Sequence, residues 1–196
     1  MTQIAIHPLA GDALRAAIPD LARLRCAVFA EWPYLYHGDP NAESDYLRDF
    51  GASEKAVLIG AYDGDRIVGV ATASPMVEQK ETYRQAFEER GIVTATLFYF
   101  GESVLLPEYR GRGIGHAFFD HREEQAKRLG AKAASFCGVI RPLDHPARPA
   151  DFQPLDPFWR KRGYEPIEGL ITNFAWKDHG ETEASEKPMQ YWIKTL

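Results

Sequence analysis

Arg110-Gly111-Arg112-Gly113-Ile114-Gly115 restricts what this chain can become more than any other segment. Upstream, Leu97 to Leu106 is dense in aromatic and β-prone residues. Downstream, Phe118 to Leu129 carries Glu123, Glu124, Gln125, Ala126, Lys127 and Arg128, all of which a helix accepts readily. The order reads as a strand, a glycine-rich turn, and a helix that opens from the turn. A helix start leaves four backbone N–H groups without partners and carries partial positive charge. Glycines there remove the Cβ atoms that would hold a ligand off the backbone, and they permit positive φ. Such a turn suits a phosphate group.

Rival readings of the turn fit less well. A P-loop needs Lys and then Ser or Thr after its last glycine, and here His116-Ala117 follows Gly115. A dinucleotide fingerprint has G-x-G-x-x-G spacing and an acidic residue about 20 positions on. Here the spacing is G-x-G-x-G, and the later neighbourhood offers Lys132, Ala133 and Ala134. A ligand-free tight turn is the plainer alternative, but it has no need of arginines on both sides of Gly111.

With Arg110, Gly113 and Gly115 in place, the turn resembles the acyl-CoA pyrophosphate loop of the GNAT superfamily of N-acetyltransferases, R/Q-x-x-G-x-G/A. The lead-in Val104-Leu105-Leu106-Pro107-Glu108-Tyr109 is similar to that family's strand and Pro-x-Tyr approach. Phe158-Trp159-Arg160-Lys161-Arg162-Gly163-Tyr164 resembles its helix ending, apolar-Tyr-x-Lys-x-Gly-aromatic. Two motifs in the right order, with a strand between them, are more specific than either alone. The resemblance covers roughly residues 56 to 176. It implies an α/β (α+β) fold with a central, mixed, mostly antiparallel sheet of about six to seven strands flanked by helices. It further implies one acyl-CoA N-acyltransferase domain over 1–196, with acetyl-CoA as co-substrate.

Composition narrows the class. The formal net charge of −5 disfavours a nucleic-acid partner, and no apolar run approaches the ~20 residues of a membrane helix. The start, Met1-Thr2-Gln3-Ile4, has no secretory pattern. Cys26 and Cys137 read as reduced, small buried residues, which points to the cytoplasm. No zinc-like spacing exists, so no metal is implied. A homodimer is left open.

Along the chain, Gln3 to Ile6 alternates as a short strand, and Pro19 is suited to the first turn of a helix carrying Leu21, Leu24 and Val28. A second helix is expected over 42–50. Ala56 to Ser74 reads as a hairpin turning at Asp63-Gly64-Asp65. Glu78 to Arg90 is helix-prone, and Lys132 to Val139 reads as a strand. Residues 141–157, with five prolines, read as a long irregular loop of the kind that is often functional. Two last strands are expected over 169–176 and 189–196, separated by an acidic surface loop.

By resemblance, the backbone at Val104, Leu105 and Leu106 would pair with the pantetheine arm, and an N–H near Leu105 would polarise the thioester carbonyl. The N–H groups of Arg110, Gly111, Arg112, Gly113, Ile114 and Gly115, with His116, would cradle the pyrophosphate. Glu102, eight residues before Arg110, is the candidate catalytic base. Strand alternation groups it with Phe98, Phe100, Val104 and Leu106; a structural ion pair with an arginine is the competing role. Where the family carries its acidic tyrosine, this chain has Trp159, which cannot protonate a thiolate; Tyr34, Tyr36 and His145 are substitutes. Glu31, Tyr34 and Tyr36, in the aromatic loop with Trp32 and Asp39, are candidate acceptor-site residues. These readings favour a small-molecule primary amine as acceptor. A protein or peptide amine, a longer acyl group, and a non-catalytic acyl-CoA sensor are the alternatives.

Overall fold

The computed structural model describes residues 4–196. The first strand, β1, covers Ala5–Leu9; Gln3, counted in its expected pattern, lies outside the described residues. Helix α1 spans Gly11–Phe29 and α2 spans Pro40–Gly51, capped by the Asp39 side chain on the Asn41 N–H at 2.9 Å. The hairpin β2 (Val57–Asp63) and β3 (Arg66–Pro75) follows, then α3 (Glu81–Glu88) and β4 (Leu97–Leu105). Helix α4 (Ile114–Arg128) leads to β5 (Ala133–Val139), α5 (Asp156–Lys161), β6 (Glu165–Trp176) and β7 (Ser185–Thr195).

The seven strands form one sheet in the order β1-β2-β3-β4-β5-β7-β6, antiparallel except for the β4–β5 pair. Phe98 and Phe100 face α4, packing with Phe118, Phe119, Phe136, Tyr164 and Trp192. The opposite face packs under α1 and α2 through Leu21, Leu47, Leu58, Val70 and Val104. Beside them, Phe87 of α3 packs with Leu97, Tyr99 and Tyr191. This is the mixed, mostly antiparallel architecture expected from the sequence.

One expectation is corrected. Pro19 does not open a helix; α1 starts at Gly11 and carries Pro19 in its interior. The missing N–H and ring clash cost about 3 kcal/mol. Burying each of Leu14, Ile18, Leu21 and Leu24 gives roughly 1.5–3 kcal/mol, so the apolar stripe outweighs one broken bond. The acidic loop is likewise more than a solvated segment: Glu181 Oε2 lies 3.1 Å from Lys187 Nζ and accepts the Asp178 N–H at 2.9 Å.

Candidate active site

The parallel partners β4 and β5 touch over only three residue pairs, Leu97–Ala133, Phe98–Ala134 and Tyr99–Ser135. Beyond Tyr99, β4 stays paired with β3 as far as Leu105, while β5 stays paired with β7 as far as Val139. The two arms therefore splay, and the β5-facing edge of β4 is left without a strand partner. The Leu106 N–H goes to the Val68 carbonyl at 3.0 Å. Backbone alternation then turns Val104 towards β3 as well and sends the Leu105 N–H to the open side. Of the three residues expected along the pantetheine arm, Leu105 offers that N–H, and Val104 and Leu106 hold β4 against β3.

The turn after β4 ends in an open helix start. Gly113 is the cap of α4 with φ +81°, and Gly111 has φ +75°; a Cβ at either would meet no atom within 4 Å. The first backbone bond entering α4 runs from the Ala117 N–H to the Gly113 carbonyl at 3.2 Å. Ile114, Gly115 and His116 thus keep N–H groups without helical acceptors. The Ile114 side chain is core, so that residue faces outward through backbone alone, and the half-buried His116 ring packs on Phe158 at 4.9 Å. Arg112 folds back, its Nη2 donating to the Glu108 carbonyl at 2.7 Å with its guanidinium over Tyr109. Arg110 reaches the Leu105 carbonyl at 3.3 Å and Glu31 at 2.8 Å.

Glu102 is 8 % exposed, but on a different face from the one alternation alone predicts. Between Phe100 and Ser103, β4 runs one residue longer than β3. This bulge puts Glu102 and Val104 under α1 and α2, while Phe98 and Phe100 face α4. Two contacts fix it. Thr72 Oγ1 accepts the Glu102 N–H at 3.2 Å, and Arg122 Nη1 donates to the Glu102 carbonyl at 3.3 Å. Burial pulls the Arg122 guanidinium down to about 10. A Cβ on Gly101 would stand 2.5 Å from Thr72 Oγ1. Gly101→Ala is therefore expected to cost about 1–3 kcal/mol and to lower turnover, read from urea unfolding and a steady-state assay.

Around Glu102 the tertiary structure assembles partners from α1 and α2. Arg25 bridges two carboxylates, Glu43 through Nε at 2.5 Å and Glu102 through Nη1. The Tyr46 hydroxyl donates to Glu102 at 3.2 Å and the Tyr36 hydroxyl to Glu43 at 2.9 Å. The Arg25 guanidinium stacks 4.5 Å from the Tyr46 ring centroid. Burial works against its charge, but Glu102, Tyr46 and Glu43 together raise it above the ordinary arginine value. Two carboxylates on one guanidinium leave one net negative charge in a buried cluster. Arg25, Glu43 and Tyr46 carried no motif; the one available signal was an arginine interrupting the apolar stripe of α1.

Trp159 lines the β5 arm. It stands over Gly138, where a Cβ would come within 2.9 Å of its ring, and packs on Phe136 at 5.0 Å and Trp192 at 5.1 Å. Among its substitutes, Tyr36 is committed to Glu43. His145 lies against Trp32 at 5.0 Å, its Nδ1 accepting the Ala147 N–H. Tyr34 packs between Phe29 and Trp176; burial, with Cys137 and Glu102 nearby, raises its phenol, so it stays protonated at neutral pH. Glu31 meets Arg110 on the glycine turn and so stands apart from the Glu102 cluster. Cys137 lies 3.2 Å from the Tyr99 hydroxyl, and burial pushes its thiol up to about 12, which suits an inert residue.

A splayed parallel pair beside an open helix start is a geometry suited to an extended, phosphate-bearing ligand. The family model for the acetyltransferase (GNAT) family matches residues 22–150. The chain belongs to the GNAT acetyltransferase family, a family of N-acetyltransferase enzymes. Among solved structures, ribosomal-protein-alanine N-acetyltransferase from Brucella melitensis aligns with a TM-score of 0.64 at 14 % identity, covering 98 % of this chain and 99 % of that one. An aminoglycoside 6'-N-acetyltransferase complexed with coenzyme A aligns at 0.62 and 16 % identity, covering 97 % and 96 %. The PaiA N-acetyltransferase from Thermoplasma acidophilum, in complex with coenzyme A, aligns at 0.54 and 13 % identity over the whole of both chains. At these identities the likeness is one of fold. No curated protein matches by sequence. Among the described residues, no helix is long and apolar enough to cross a membrane.

Proposed function

We propose that this protein, a single acyltransferase domain acting in the cytoplasm, transfers an acetyl group from acetyl-CoA to the primary amine of a small molecule. The observation that carries this reading is one juxtaposition. The free edge of β4 ends at an open helix start, while the same strand presents Glu102 towards α1 and α2. The N–H groups of the glycine turn and of Gly115 and His116 hold the pyrophosphate, and Arg110 adds charge. Leu105 directs its N–H at the thioester carbonyl, where negative charge grows as the amine adds.

Glu102 and its neighbours receive the acceptor. The cluster's net negative charge favours an ammonium group over a neutral or anionic ligand. Glu102 takes the proton that the nitrogen must lose, directly or through water, and the neutral amine attacks the acyl carbon. The bond to sulfur then breaks, and coenzyme A leaves as the thiolate. Tyr34, protonated at neutral pH, supplies a hydroxyl for the departing sulfur, in place of the tyrosine that Trp159 replaces. The depth of Glu102 favours a small acceptor over a folded protein surface.

Calorimetric titration with acetyl-CoA tests the first half. Gly113→Glu puts a carboxylate at the phosphate position and forces a side chain into φ +81°. Binding is expected to weaken by about a hundredfold, ~2.7 kcal/mol. Equal binding by the variant would remove the turn from the site. Turnover with a panel of amines then separates the enzyme from a sensor that binds without reacting.

A further inference from the structure

The two arms of the splay are joined a second time, by a segment between α1 and α2. At one end Glu31 Oε2 accepts from Arg110 Nη2 at 2.8 Å, just beyond β4. At the other, Arg141, just beyond β5, donates to the Pro33 carbonyl at 2.8 Å and the Tyr34 carbonyl at 2.6 Å. The Trp176 indole adds a bond to the Tyr34 carbonyl at 3.0 Å, and Trp32 lies against His145 and Phe152 of the proline-rich loop. Because Arg110 follows β4 and Arg141 follows β5, residues 31–34 span the open end of the splay.

The two anchors differ in strength. Arg141 is bidentate to Asp178 at 2.7 and 3.0 Å, and both side chains are buried, at 8 % and 9 % exposure. Such a pair is strongly destabilising to break. The Arg110–Glu31 pair is 49 % and 41 % exposed, and exposed pairs contribute little. Next to the span, Leu35 has φ +56°, a conformation that a leucine adopts only at a cost.

We propose that Glu31 is a latch that the cofactor displaces. In the free protein its carboxylate occupies the Arg110 guanidinium, and the pyrophosphate of an arriving acyl-CoA takes Arg110 from it. The span then opens from its β4 end and stays held at Arg141. This rests on the acyl-CoA reading above. It makes Glu31 an internal competitor that sets cofactor affinity, in place of a contact for the acceptor amine.

A double-mutant cycle, read by calorimetric titration with coenzyme A, tests it. Glu31→Gln is expected to tighten binding about two- to fivefold, the range that an exposed pair of this kind supports. Arg110→Gln keeps a donor at that position, and in its background Glu31→Gln is expected to change nothing. Unchanged or weaker binding by the single variant would overturn the latch. So would equal tightening with and without Arg110, which would mark general repulsion of an anion. If the wild type itself binds no coenzyme A, the acyl-CoA reading fails, and the latch with it. Binding without the coupling defeats the latch alone.

Discussion

Arg25→Met is expected to lower the unfolding free energy by about 3–5 kcal/mol, the largest loss of stability from any single change near the site. Arg25 is the cation that Glu43 and Glu102 share, and all three side chains are nearly shut off from water. Methionine keeps much of the volume but leaves two carboxylates facing each other with only the Tyr36 and Tyr46 hydroxyls as partners. Urea unfolding measures the loss, and Glu43→Gln added to Arg25→Met should restore part of it. A loss under about 1 kcal/mol would mean that the cluster is hydrated and its charges are screened.

Glu102→Gln is expected to lower kcat by about a hundred- to a thousandfold, within the usual contribution of a positioned base. Glutamine matches the shape and still accepts from Tyr46. It also brings the cluster to one carboxylate and one guanidinium, so stability should change by less than about 1 kcal/mol. Coenzyme A affinity should hold, because the turn and the Leu105 N–H are untouched. Steady-state kinetics beside a coenzyme A titration separates the two roles. A fallen kcat with intact stability and cofactor binding identifies a group that acts on the amine. An unchanged kcat would leave Glu102 as only a structural partner of Arg25.

The glycine turn was legible because its physics is local. Positive φ at Gly111 and Gly113, and orphan N–H groups on the first turn of α4, follow from a few consecutive residues. The hairpin at Gly64-Asp65 was legible for the same reason, as was the proline-rich irregular stretch, although it ends at Leu155 and its fifth proline, Pro157, lies in α5. Trp159 could be named as a departure from the motif, but its role as a wall over Gly138 depended on a strand 21 residues away.

The surroundings of Glu102 depended on distance in sequence. A period of two is all that a strand pattern offers, and the bulge that breaks it arises between Gly101 and Thr72, on different strands. Arg25, Glu43 and Tyr46 come from two helices laid over the sheet, and nothing local in either marks the chosen partner. Glu31 was read towards the acceptor because it is acidic and stands in an aromatic loop; folding brings it to Arg110, 79 residues on. The sequence by itself determined the strand-turn-helix unit and its open helix start, because backbone sterics and an open helix end need no distant partner. Only the tertiary structure decided which charges meet beneath α1 and α2 and what spans the mouth of the splay, because those contacts exist only once separate elements pack.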